Sequence, residues 1–186
     1  MKKHELAGIC GVAGPIISLS FVIKAIIISP WFAWSTNALS DLGVGEAALV
    51  FNSGLIAGGI TSIIFALGLF VAFEKQNLRK TGAVVYFFVA ISLINIGVFS
   101  EAVGNVHLYF SIAFFVLLPI SLFLLGVGAI ISRFRLFGAF TLSIGFLAAF
   151  PWFFSWGAVG VPEMVSAVVA AVWSIVQGAR LYLACA

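Results

Sequence analysis

The sequence predicts an all-α membrane protein, a six-transmembrane-helix bundle with N-in/C-in topology. Three observations carry that prediction. Of the 186 residues, 63% are hydrophobic and only 8% are charged, whereas a soluble domain carries about a quarter charged residues. A globule of this length cannot hide so much apolar surface from water. The apolar residues also fall into six runs of spanning length, and the basic residues fall between alternate runs.

Taken in order, the runs cover 6–29, 50–73, 81–100, 107–132, 136–156 and 163–183. At about 1.5 Å per residue, each crosses a hydrocarbon core of about 30 Å as a helix. The short alternating segments of an outer-membrane barrel are absent. Met1-Lys2-Lys3 resembles a signal-peptide start, but the following run is long and lacks a small-residue cleavage site, so it is kept as the first span. Pro15 in span one and Pro119 in span four are expected to kink their helices. Gly54 and Gly58 in span two form a GxxxG pattern that lets helices approach closely. The connections 74–80 and 133–135 are short, which makes spans two and three, and four and five, antiparallel neighbours. Pro162 and Glu163 open the last span and read as ordinary capping chemistry. Pro119-Ile120-Ser121-Leu122 faintly echoes Pro15-Ile16-Ile17-Ser18-Leu19. No echo links spans two and five or three and six, so an inverted repeat is not supported. The chain reads as one domain, 1–186.

Orientation follows from charge. Lys2, Lys3, Lys75, Arg79, Lys80, Arg133, Arg135 and Arg180 all lie on one side of the predicted bundle. Asp41, Glu46, Glu101 and Glu163 lie on the other. The basic side is cytoplasmic by the positive-inside rule, which places both termini there and the protein in the cell membrane. Trp31, Trp34, Trp152 and Trp156 fall at the opposite interface, as an aromatic belt does. The same charge distribution accounts for the pI near 9.1 without a nucleic-acid partner.

The inventory excludes several chemistries. Cys10 and Cys185 form no close pair, so disulfide or CxxC chemistry is not on offer. His4 and His107 fall on opposite sides of the membrane, which leaves neither a three-ligand zinc site nor a two-histidine haem. No metal or cofactor is expected.

Polar residues inside a membrane are costly and mark function by default. Counting along the spans places Lys24, Asn52, Asn95, Glu101, His107 and Ser111 in the outer half of the bundle. Above them lies the one long loop, 30–49, with Ser40, Asp41 and Glu46. The inner half has no comparable set. These nine residues are expected to form one outward-facing polar cavity roofed by the loop. Lys24 is expected within about 4 Å of Asp41 or Glu101, since an unpaired ammonium below the interface is expensive, with Asn52 or Asn95 adding a hydrogen bond. Asp41, in Ser40-Asp41-Leu42-Gly43, is expected in an Asx-turn, with Gly43 free to take positive φ.

Asn37-Ala38-Leu39-Ser40-Asp41-Leu42-Gly43, Glu46 and Phe51-Asn52-Ser53-Gly54-Leu55 together resemble the six-span bacterial and archaeal family labelled domain of unknown function 998. His107 after the third span suits it. The order is similar, more distantly, to the damage-regulated autophagy modulator and FGF-receptor-activating membrane proteins, although Val44-Gly45 stands where those have proline before glutamate. The first resemblance implies six helices and no assigned activity; the second implies lipid-linked roles by analogy.

Two functions fit these residues. One is binding of membrane lipid or an amphipathic small molecule in the outer cavity. The other is a small transporter or membrane-embedded enzyme that uses Asp41, Glu101 and His107 as acid and base groups. The topology itself is open to direct test. Cysteines introduced at Gly43 and Gly160 are expected to react with an impermeant reagent in intact cells, and those at Gln76 and Arg135 to be protected; labelling at Gln76 reverses the assignment.

Overall fold

A computed structural model describes residues 3–183, so Lys2 and Cys185 of the sequence reading lie outside the described residues. The architecture is all-helical: α1 Lys3–Ile27, α2 Ala48–Ala72, α3 Asn77–Val98, α4 Asn105–Ile131, α5 Arg135–Ala149 and α6 Gly160–Leu183. All six are long and apolar enough to cross a membrane, α5 together with the 3₁₀ turn that continues it to Phe153. This is a multi-pass membrane protein. The helices form a closed ring in which each packs against its neighbours in sequence and α6 returns to α1; the α5–α6 seam is the loosest. One end of the ring, the loop face, carries the segment between α1 and α2. The other, the terminal face, carries the start of α1 and the end of α6.

Small residues set the helix spacing. A Cβ at Gly58 would meet Ser18 Cβ at 2.7 Å, and one at Gly178 would meet Gly8 O and Gly11 C at 2.8 Å. The GxxxG pair Gly54 and Gly58 therefore works as predicted, both residues seated against α1. Ser174 donates to Gly11 O across the same α1–α6 contact, and Ser121 donates to Gly82 O between α4 and α3, each at 2.8 Å. Helices α1 and α4 run unbroken through Pro15 and Pro119.

Two sequence expectations need correction. The apolar run of the fifth span reaches Trp156, yet α5 stops at Ala149 and a 3₁₀ turn follows over Phe150–Phe153. Pro151 lacks the amide that would bond back to Leu147 and disfavours helical geometry in the residue before it, so the helix ends there. The second concerns the loop after α1, in its part nearest α2. It folds into two 3₁₀ turns, Leu39–Gly43 and Gly45–Ala47, whose Leu39, Leu42 and Ala47 are buried. Positive φ falls at Gly45 (77°) instead of Gly43. Gly43 is needed for closeness, since a Cβ there would lie 2.8 Å from Asn52 Oδ1.

Midway through the bundle Phe65, Tyr86 and Trp173 pack ring to ring at centroid distances of 5.4–6.0 Å. Trp173 donates to Thr141 Oγ1 at 3.1 Å, which ties α6 to α5. At the terminal face the Arg79 guanidinium is buried over the Phe73 ring at 3.6 Å, with Nη1 donating to Gln76 Oε1.

Gly43 and Gly160 are buried, which makes them poor positions for labelling. Exposed Glu46 and Ser155 on the loop face, and Lys75 and Arg135 on the terminal face, are the proper probes of sidedness. The packing makes its own prediction. Gly178→Ala forces α1 and α6 apart and is expected to cost about 1–3 kcal/mol, as overpacking does elsewhere. A thermal-unfolding midpoint of purified Gly178→Ala equal to that of the parent would contradict it.

Candidate functional site

The bundle is hollow on the loop-face side. A cavity of about 120 Å³ lies inside the ring, lined by α1 to α4, by α6 and by the first 3₁₀ turn, but not by α5. Leu39, Ser40 and Glu163 line its loop-face end, and Gly14, Ser62, Tyr86 and Ser174 line its other end. From Glu163 to Ser174 along α6 is eleven residues, or about 16 Å at helical rise. The Phe65–Tyr86–Trp173 layer closes the bottom. The wall is mostly apolar, contrary to the expected polar cavity. Space is left because α6 presents Ala167, Ala170 and Ala171 to it.

The expected polar lining is missing because most of those side chains spend their bonds elsewhere. In hydrocarbon a polar group takes the nearest partner, which is commonly the carbonyl one turn back. Asn95 donates to Ile91 O at 2.8 Å on its own helix and does not line the cavity. Asn52 donates to Gly43 O at 3.0 Å and holds the loop down. Glu46 is exposed in the second 3₁₀ turn. Lys24 is the clearest correction: it is exposed, and among the described residues it makes no ion pair with Asp41 or Glu101. It shares its side of α1 with the exposed Ser20, Phe21, Ile27 and Ile28, the lipid-facing stripe of a 3.6-residue period. Counting depth along a span says nothing about which way a side chain turns, and here it turns outward to snorkel.

The remaining expected residues do come together. Ser40 and Ser111 line the cavity. Above it, the Asp41 and Ser40 side chains stand beside the Glu101 carboxyl, with His107 close by. Asp41 Oδ2 accepts from Asn37 Nδ2 at 2.7 Å and from the Ala38 amide at 3.1 Å. The carboxylate thus caps the 3₁₀ turn by reaching back three residues, a local role of the kind expected of it but opposite in direction to an Asx-turn. His107 is buried at the start of α4. Its Nδ1 lies 2.7 Å from Phe99 O, and its Nε2 is buried without a hydrogen-bond partner. A carbonyl only accepts, so Nδ1 carries a proton in this contact.

Glu163 is the residue that sequence reasoning missed. Read as a cap, it is 7% exposed, lines the cavity and accepts the Leu39 amide on Oε2 at 2.6 Å, a bond across 124 positions of sequence. Gly160 N donates to Asn37 O at 3.2 Å beside it. A signal was present. Glu163, Ala167, Ala170 and Ser174 recur at helical spacing as one stripe of polar and small residues. Trp152, assigned to the aromatic belt, also donates to Ser166 Oγ at 3.0 Å and packs on Phe115 at 4.7 Å, which seats the end of α5 against α6 and α4.

Compared with known proteins, residues 12–180 match the model of the family described as protein of unknown function (DUF998). No curated protein and no solved structure matches the chain.

Glu101 lies between α3 and α4, outside the spans. Desolvation first, and the neighbouring Asp41 carboxyl second, push its pKa up; Ser40 and His107 pull the other way. A raised folded value means that the folded protein holds this proton more tightly than the unfolded chain. The associated stability is therefore full below the ordinary value of 4.5 and is lost as pH rises through the folded value. Glu101→Gln is expected to remove that loss. Its unfolding midpoint should exceed the parent's at pH 7, and the gap should close by pH 4. A gap that is constant across the range would show that Glu101 ionises freely.

Proposed function

We propose that this chain, which belongs to the family described as protein of unknown function (DUF998), binds the apolar chain of a lipid or amphipathic small molecule in its loop-face cavity. The observation that carries the reading is the cavity: a space walled mostly by apolar and small side chains, with the Glu163 carboxyl at its loop-face end. Its 120 Å³ is comparable with a dry apolar cavity of about 150 Å³ that accepts a benzene-sized ligand. That room suits part of one chain, not the body of a two-chain lipid. The lipid-linked roles implied by the eukaryotic resemblance point the same way. The basic side chains clustered at the terminal face support placing both termini in the cytoplasm and the cavity on the outer side of the cell membrane.

A second reading, a small transporter or membrane-embedded enzyme, has the gathering of Asp41, Glu101 and His107 in its favour. Against a transport path stands the Phe65–Tyr86–Trp173 layer, which closes the bundle directly beneath the cavity.

Native mass spectrometry of the protein extracted in mild detergent is expected to show a co-purified single-chain or lipid adduct. Ala167→Phe places a ring in the existing space and is expected to lower that occupancy about tenfold, or ~1.4 kcal/mol in affinity, without lowering the unfolding midpoint of the delipidated protein. Unchanged occupancy in Ala167→Phe, or no adduct on the parent, sinks the reading.

A further inference from the structure

We infer that the molecule held in this cavity carries a neutral hydroxyl at its inner end, and that this hydroxyl donates to Ser62 Oγ. The inference rests on the chain-binding reading above and adds the chemistry of the group that sits against the aromatic layer.

The end of the cavity away from the loop face differs from its apolar walls. Ser62 of α2, Tyr86 of α3 and Ser174 of α6 line it, and Tyr86 and Ser174 are buried. Three hydroxyls from three helices thus meet midway through the bundle, where a polar group without a partner is costly. Glu163, the one carboxyl of the lining, belongs to the opposite end.

Elsewhere in the spans a hydroxyl takes the nearest carbonyl of its own helix. Ser53, Thr61, Ser92 and Thr141 each donate to the residue four positions earlier. The cavity hydroxyls turn to one another instead: the Tyr86 hydroxyl is hydrogen-bonded to the Ser174 and Ser62 side chains. The Ser174 proton is fixed, because Ser174 Oγ lies 2.8 Å from Gly11 O and a carbonyl only accepts.

From that fixed proton the others follow. Each hydroxyl has one proton and two lone pairs. With its proton spent on Gly11 O, Ser174 can only accept from Tyr86, so the Tyr86 proton points at Ser174 Oγ. Tyr86 Oη can then only accept from Ser62, so the Ser62 proton points at Tyr86. All three protons run one way, toward Gly11 O. The relay begins at Ser62 Oγ, which keeps lone pairs and, among the described residues, receives no donor.

A lining group that accepts but has no proton to give selects its ligand. An alcohol or phenol O–H supplies the missing donor without charge. A ketone, ester or ether brings acceptors only and would set lone pair against lone pair. An ammonium brings donors, but at this end it would be buried with no carboxyl beside it. A hydrocarbon end would leave Ser62 Oγ desolvated and unpaired.

The test uses the full-length protein in nanodiscs of phosphatidylcholine, with decanol, undecane and methyl nonyl ketone as probes of similar length. Each affinity is read as the ratio of variant to parent, so the partition of the probe into lipid cancels. Ser62→Ala is expected to weaken decanol about fivefold to tenfold, the worth of one buried hydrogen bond, and to leave undecane and the ketone unchanged. Should Ser62→Ala not fold, Tyr86→Phe removes the oxygen that holds the Ser62 proton. Ser62 is then free to donate, and ketone affinity is expected to rise severalfold; no rise overturns the proton order and the hydroxyl with it.

Ser62→Ala that leaves decanol unaffected, or that weakens the ketone or undecane equally, overturns the hydroxyl assignment while the chain-binding cavity stands. A parent protein that takes up none of the three probes overturns both.

Discussion

The bond between Glu163 Oε2 and the Leu39 amide, 2.6 Å long, decides what the loop-face half of this molecule is. It joins the first turn of α6 to a segment 124 positions earlier, and Asn37 O and Gly160 N reinforce it. Once Leu39 is held there, Leu42 drops into the bundle, Asp41 turns back to cap its own 3₁₀ turn, and Asn52 secures Gly43 from the other side. A stretch that is polar in composition thereby becomes a roof with an apolar underside. A buried carboxyl is expensive unless it is bonded, and the loop amide offsets part of that cost.

Beneath the roof the cavity exists because packing is uneven along the helices. Glycines bring α1 to within backbone contact of α2 and α6 over most of its length. Toward the loop face, however, α6 turns alanines inward, where they cannot reach the opposite wall. Large aromatic rings then occupy the middle of the ring, with Phe65 and Trp173 almost wholly buried. Close contact at the rim, small residues around the space and bulky ones below produce a blind pocket. The asymmetry is one of side-chain volume, and the carboxyls of Asp41, Glu101 and Glu163 at the loop-face end add an electrostatic asymmetry in the same direction.

The two kinds of site residue differ in how far sequence reasoning can reach them. Depth was legible: Ser40, Asp41, Glu101, His107 and Ser111 were placed at one end of the bundle by counting residues, and they lie together there. Direction was not. Lys24 lies at the depth expected of it, yet it is on the lipid side of α1. Asn95 satisfies itself on its own helix. Glu163 sat in a position where capping is the ordinary expectation, and its partner lay far away in sequence.

What the sequence by itself determined is everything that depends on hydropathy, length and the alternation of charge. Six helices, their order, their short connections and the GxxxG contact of α2 follow from these, because in hydrocarbon a chain of such composition has no other way to satisfy its backbone. A sharp local signal such as Pro151 was also available, and it explains why α5 ends early. The tertiary structure alone decided which faces of the helices turn toward one another. That choice made the cavity apolar, turned Lys24 away and brought Glu163 to Leu39. The reason is that helix rotation is set by the sum of many small contacts between residues distant in sequence, none of which has a periodicity or motif of its own.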